Sequence, residues 1–261
     1  MRRNYYNYIL ALSVLGISLT GLPSVSFAEP NSAQMSSTKE AKLLKTYTSI
    51  IENHLNKNLS IMRTVRILVN NYPEHASYIV SAAFDLTPNK KKAIIMAAIQ
   101  AEPAVTYSVV ETALTYFPSN AEMIVQTAIE TEPAYIDDIL SLAIAHSPEK
   151  ADSLITVTLQ NHPSYSESIM RTTHQSASGN LLSSVIGTLK LIPESADYVL
   201  NGIKDFFTSL GGTESEAYIS KEQWKLLAVE AKNSGLDKDR LQWLVDKGYL
   251  EQKELAAVYN K

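Results

Sequence analysis

The stretch PEHASYIVSAAFDLT at residues 73–87 decides the fold, because PNKKKAIIMAAIQAE at residues 88–102 repeats its proline and its apolar spacing. The interval of 15 residues continues along the chain. Proline occupies positions 73, 88, 103, 118, 133, 148, 163 and 193. Self-similarity at a fixed period is typical of repeat proteins, in which each repeat is one structural unit.

Each block of 15 residues has the pattern of one short helix. Counted from the proline, positions 4, 7, 8, 11 and 12 are apolar, which places them in one stripe on a helix. Proline is tolerated in the first turn of a helix and disfavours helix in the residue before it. Each proline is therefore expected to begin one helix and to end the previous one. In the block that begins at Pro118 the stripe consists of Ala121, Ile124, Val125, Ala128 and Ile129.

Two blocks keep the phase of the repeat without the proline. Residues 58–72 precede the series, and Ser178-Gly179-Asn180 stands where a further proline is due. The repeat therefore covers residues 58–207 and comprises ten blocks.

Stacked helices are the architecture that this repeat predicts. A single continuous helix is excluded, because a proline inside a helix costs about 3 kcal/mol each time. Short helices joined by tight turns reverse direction, so two blocks form a helical hairpin of 30 residues, and stacking buries the apolar stripes. We expect an all-α fold, an α-solenoid of ten single-helix repeats. It resembles tetratricopeptide arrays in architecture, although their 34-residue period and their Trp, Gly and Tyr signature are absent.

Aromatic residues sort with the 30-residue period, and therefore into one of two layers of alternating helices. Two interpretations stay open: a recognition surface for a partner, or packing between helices of the same layer. The first interpretation predicts a partner-binding set composed of His75, Tyr78, Tyr107, Tyr116, Tyr135, His146 and Tyr165.

The N-terminal flank has the three parts of a signal peptide. Arg2 and Arg3 precede an apolar run over residues 8–22, and the small residue Ala28 follows. We expect cleavage after Ala28 and export to the periplasm or the medium. Residues 29–57 are predicted to hold a mobile arm and then a capping helix over residues 41–55. No later segment is apolar enough to span a membrane.

A small C-terminal unit of three helices is expected over residues 208–261, after Gly211-Gly212-Thr213 ends the array. The predicted helices are one containing Trp224, capped by Ser220 with Gln223, and two more over residues 237–247 and 252–259. The unit is either a cap on the array or a separate module. The sequences LQWL at 241–244 and KGY at 247–249 resemble a helix of bacterial cell-wall-binding modules, which implies contact with the cell wall as one alternative.

Composition and motifs argue against several kinds of chemistry. The chain has no cysteine, which excludes disulfides, thiolate zinc sites and thiol nucleophiles. A net charge of -4 argues against a nucleic-acid binder. There is no phosphate-binding glycine loop and no nucleophile elbow, and the five histidines lack metal-ligand spacing. We therefore expect no catalytic residues, no metal, no cofactor and no enzymatic activity.

Two functions fit these features. The first is a secreted or periplasmic scaffold that binds a protein or peptide partner along its Tyr-rich layer. The alternative is a structural spacer or cell-envelope protein whose C-terminal unit makes the contact. Open ends of a solenoid also make self-association possible.

Overall fold

The computed structural model describes residues 32–176, 181–209 and 219–260. The predicted signal peptide, the turn at Ser178-Gly179-Asn180 and the break at Gly211-Gly212-Thr213 lie outside these residues. The chain divides into two compact units, residues 1–38 and 39–261. The described helices belong to the second unit, apart from the first turns of the helix that begins at Ser32.

All regular structure in the described residues is helical, as the sequence predicts. No described helix is both long and apolar enough to cross a membrane. The α-helices are α1 (Ser32–Asn56), α2 (Ile61–Asn71), α3 (Ala76–Leu86), α4 (Lys91–Ala101), α5 (Thr106–Tyr116), α6 (Ala121–Thr131), α7 (Ile136–His146), α8 (Ala151–Asn161), α9 (Ser166–Ser176), α10 (Leu181–Leu191), α11 (Ala196–Ser209), α12 (Lys221–Asn233), α13 (Gln242–Asp246) and α14 (Gln252–Tyr259).

The proline joints share one geometry. Each proline opens a three-residue 3₁₀ turn, and the α-helix begins at the fourth position of the block rather than at the proline. At the joint before Pro118, Phe117 adopts φ -134° and ψ 60°, and its N–H donates to the carbonyl of Ala113 at 2.9 Å. The N–H of Asn120 donates to the carbonyl of Phe117, also at 2.9 Å. Each joint thus satisfies backbone groups that a helix end leaves open.

Helices alternate between two layers, as predicted. The even layer holds α2, α4, α6, α8 and α10, each in contact with the next of this series. The odd layer holds α3, α5, α7, α9 and α11, which are paired in the same way. Consecutive helices contact each other across the layers. The result is an α-solenoid.

The core is the predicted stripe. Ala121, Ile124, Val125, Ala128 and Ile129 are all buried. The equivalent positions are buried throughout α3, α5 and α7. Burial of apolar side chains against both layers is the main favourable contribution to the stability of such an array.

The N-terminal helix starts earlier than predicted. It begins at Ser32, nine residues before the expected start at Ala41. The predicted start depended on apolar spacing, which is present only in the part of the helix that packs on the core. The preceding turns are polar and lack this spacing, but their residues have adequate helix propensity. Tyr47 and Ile51 of α1 are buried in the core.

The C-terminal helices pack against the last repeat. Helix α12 begins with the predicted capping box of Ser220 and Gln223 and contacts α10. Trp224 contacts the ring of Phe207 with ring centroids 5.0 Å apart and stacks on Tyr249 at 4.5 Å. The helix predicted over residues 237–247 is instead a 3₁₀ turn at Lys238–Leu241 followed by the short α13. Helix α14 has the predicted bounds.

Candidate partner-binding surface

All seven predicted binding residues belong to odd-layer helices or to the turns that open them, but they lie at two ends of the layer. His75, Tyr135 and Tyr165 close the proline turns, whereas Tyr116 and His146 are the last residues of α5 and α7. A helix of 11 residues is about 16 Å long. The seven side chains therefore form two groups along opposite edges of the layer instead of one continuous row.

Contacts between neighbours confirm that helices of one layer run in the same direction. Lys150, in the turn that opens α8, donates from Nζ to the carbonyl of Pro118, in the turn that opens α6, at 2.7 Å. At the other end of the odd layer, Thr115 Oγ1 lies 3.5 Å from Nε2 of His146. Equivalent positions of successive same-layer helices are thus side by side.

His75 and Tyr78 lie in an aromatic cluster that joins α1 to α3. A hydrogen bond of 2.7 Å links Tyr47 Oη to Nδ1 of His75. Tyr72 stacks on the His75 ring, and Tyr78 meets it edge-on at 6.3 Å between centroids. Burial raises the pKa of Tyr47, and the nearby charge of Glu74 raises it further. These two predicted binding residues contribute to packing.

Tyr116 and Tyr135 combine packing with partial exposure. Tyr116 contacts Phe84 of α3, with centroids 5.6 Å apart, and is still 36% exposed. Tyr135 is partly buried and packs against the core.

The most accessible members of the predicted set are Tyr107 and Tyr165, with His146 also exposed. Tyr107, in the first turn of α5, is 50% exposed, and Tyr165 is 38% exposed. The ring of Tyr165 meets His162 edge-on, and burial lowers the pKa of His162. Tyr198 of α11 is exposed as well and was not in the predicted set.

The odd layer is acidic. Its turns and helices, at residues 73–86, 103–116, 133–146, 163–176 and 193–209, contain nine Asp or Glu and two Lys or Arg. The corresponding even-layer segments, at residues 58–71, 88–101, 118–131, 148–161 and 181–191, contain four Asp or Glu and seven Lys or Arg. Charge therefore segregates with the 30-residue period, as the aromatic residues do.

The acidic character of the odd layer is clearest in α5 and α7 and in the turns that open them. Residues 103–116 and 133–146 contain three carboxylates and no Lys or Arg. Asp137 accepts hydrogen bonds from Ser168 and Thr172 of α9, so it fixes the contact between α7 and α9. We call the exposed side chains Tyr107 and Glu111 of α5, one helical turn apart, together with Asp138 in the first turn of α7, the acidic face.

The sequence analysis predicts Tyr107 of the acidic face and misses its two carboxylates, Glu111 and Asp138. Along the sequence, Glu111 and Asp138 do not stand out, because acidic residues are spread over the whole chain. The signal becomes visible only when charged residues are sorted by layer, which the 30-residue period already allowed.

A groove of about 520 Å³ lies between α12 and α14 in the C-terminal unit. Its apolar lining consists of Val229, Ala257 and Val258, and the charged side chains of Lys225 and Glu254 also line it. The Glu254 carboxylate accepts from the Glu251 N–H and pairs with Lys225 and Lys221, which lowers its pKa to about 2. The part of the chain that the structure describes contains no cluster of three His, Asp or Glu suited to a metal ion.

Comparisons with protein-family models, with curated proteins and with solved structures find no match for this chain. The observations that bear on function are therefore those of the surface itself.

Proposed function

We propose that this chain is an exported, non-enzymatic helical-repeat scaffold that binds a protein or peptide partner through the acidic face. The observation that carries the proposal is the exposure of Tyr107 on α5, one helical turn before the exposed carboxylate of Glu111. A tyrosine offers a large contact area and a hydroxyl group while losing little conformational entropy.

Rigidity of the supporting layer favours this role. The stripes beneath α5 and α7, which include Val109, Val110, Ile139 and Leu140, are buried. Side chains held on packed helices are already positioned for contact, so binding loses less entropy than binding to a mobile loop. Repeat arrays commonly use such extended surfaces for recognition.

Paired capture experiments test the proposal. The parent chain and a Tyr107→Ser variant serve as baits in envelope and medium fractions, and each captured protein is then purified and titrated against both baits. We expect the variant to lose at least about tenfold in affinity, because exposed aromatic anchors dominate many interfaces. A Tyr198→Ser variant is the matched control, since Tyr198 is 61% exposed but lies on α11, outside the acidic face.

A second candidate function is contact through the C-terminal unit, which the groove between α12 and α14 favours. A Val229→Lys/Ala257→Lys variant separates the two. Loss of the partner with this variant, and retention with the tyrosine variant, would overturn the scaffold proposal and place recognition in the C-terminal groove. Loss with the tyrosine variant alone supports the acidic face.

A further inference from the structure

We infer that the acidic face binds the basic N-terminal end of the even layer of a second copy of this chain. This inference rests on the proposed function in one respect: it takes the acidic face as a contact surface and names its occupant.

The complementary surface lies on α2 and α4. Residues 58–71 and 88–101 contain five Lys or Arg and no Asp or Glu. Arg66 donates to Oε1 of Gln100 at 2.8 Å, which connects α2 to α4. The basic face is defined as the exposed side chains Arg63, Arg66, Ile67, Lys90 and Lys92.

Ile67 adds an exposed apolar side chain to the basic face. It is 38% exposed, whereas its equivalents Ala97 in α4 and Thr127 in α6 are buried. This tenth position of a block packs toward the preceding helix of the same layer: in α9, Thr172 reaches back to Asp137 of α7. Among the helices that the structure describes, α2 is the first of the even layer, so no described even-layer helix precedes it to cover its tenth position.

The two faces match in chemistry. Arg and Lys pair with carboxylates and also bind over the faces of tyrosine rings, so Arg63 and Lys90 suit a surface that carries Glu111, Asp138 and Tyr107. Within the molecule, Lys91 already lies over the Phe117 ring with 4.7 Å from Nζ to the centroid. Lys92 pairs with Glu130 at 3.6 Å, but both side chains are about half exposed, so this pair exchanges readily.

The match is between molecules. The layers pack on each other through their apolar stripes, so the outer sides of α2 and α4 face away from the outer sides of α5 and α7. One copy therefore offers a basic face and an acidic face at different places. A contact between unlike surfaces continues from copy to copy unless its rotation closes a ring.

Sedimentation of the purified chain tests this inference. We expect its average mass to rise with concentration at about 20 mM salt and to return to that of one chain at about 300 mM, because exposed charges are screened over a few ångströms at high salt. Two variants each remove one face: Arg63→Glu/Lys90→Glu, and Glu111→Lys/Asp138→Lys. Each alone should remain monomeric at low salt.

Mixing the two variants provides the decisive measurement. The first variant keeps the acidic face and the second keeps the basic face, so an equimolar mixture should form heterodimers although neither variant associates alone. A Lys204→Glu/Lys247→Glu variant makes the same change of net charge as the Arg63→Glu/Lys90→Glu variant, at exposed positions outside both faces. It should associate like the parent. Circular dichroism checks that every variant is helical.

Three results would overturn the inference: a parent that is monomeric at every concentration and at both salts, folded variants that associate like the parent, or a mixture that stays monomeric. These outcomes are distinguishable from failure of the proposed function. If the chain never self-associates but loses a different captured partner on the Tyr107→Ser change, the scaffold proposal stands and the second copy is excluded as its partner.

Discussion

Tyrosines with the same sequence context perform different tasks in this molecule. Tyr47 is 5% exposed and hydrogen-bonded to His75, whereas Tyr107 is half exposed. The difference follows from what lies opposite each residue. Tyr47 of α1 packs against the turn that opens α3, where His75 is partly buried, while the first turn of α5 presents Tyr107 to solvent. At the residue scale, a tyrosine supplies a large contact surface. Its burial decides whether this surface packs inside the protein or is open to a partner.

Replacing Tyr47 by Phe should destabilise the protein by about 1 to 2 kcal/mol, because it leaves Nδ1 of His75 without its partner. Replacing Tyr107 by Phe should change the free energy of unfolding by less than about 0.5 kcal/mol, as for most surface substitutions. Urea unfolding followed by circular dichroism measures both. Equal effects of the two substitutions would contradict the division between packing and surface tyrosines.

The tenth position of a block is glycine in two helices, and the surroundings of the two glycines differ. Gly202 holds this position in α11 and Gly187 holds it in α10. A Cβ added at Gly202 would lie 2.7 Å from the backbone nitrogen of Glu167 and would clash with Cβ of Ser166. A Cβ added at Gly187 would meet nothing within 4 Å. Helix α11 therefore approaches α9 so closely that only glycine fits between them.

Gly202→Ala should destabilise the protein by about 1 to 3 kcal/mol, because the backbone of α9 has to move to admit the methyl group. Gly187→Ala should stabilise it by about 0.5 to 1 kcal/mol, since alanine has the higher helix propensity and space is open. Thermal unfolding of both variants beside the parent provides the measurement. A rise in melting temperature for both would show that α9 and α11 are not in close contact.

At the scale of the whole molecule, the described helices of the array pack on consecutive helices and on the next helix of their own layer, so stability is close to a sum of local terms. The final repeat has no following repeat, and the C-terminal helices take that place. Phe207 is covered by Trp224 and Tyr249, and Ser234 Oγ donates to the carbonyl of Leu189 at 3.2 Å. An ion pair between Arg240 and Asp197 adds a further connection to α11. We propose that these helices act as the cap of the array.

Trp224→Ala should lower the local stability of the last repeats by about 3 to 5 kcal/mol, because it removes a buried aromatic ring. Amide hydrogen exchange should accelerate in α10 and α11 and remain unchanged in α3 and α5. Mass spectrometry of peptic fragments resolves these segments. Uniform acceleration along the chain would show that the array opens as a single cooperative unit.

The sequence by itself determined the repeat, the two layers and the buried stripe. Proline geometry and apolar spacing are local properties of each 15-residue block, so both can be recognised from the sequence of one block alone. The same period also sorted the aromatic residues into the odd layer. Only the tertiary structure decided which of them are accessible, because exposure depends on contacts with residues distant in the chain: His75 bonds to Tyr47 of α1 and is partly buried, whereas Tyr107 is half exposed. The opposite charges of the layers were likewise present in the sequence, but they became surfaces only when stacking placed α2 beside α4 and α5 beside α7.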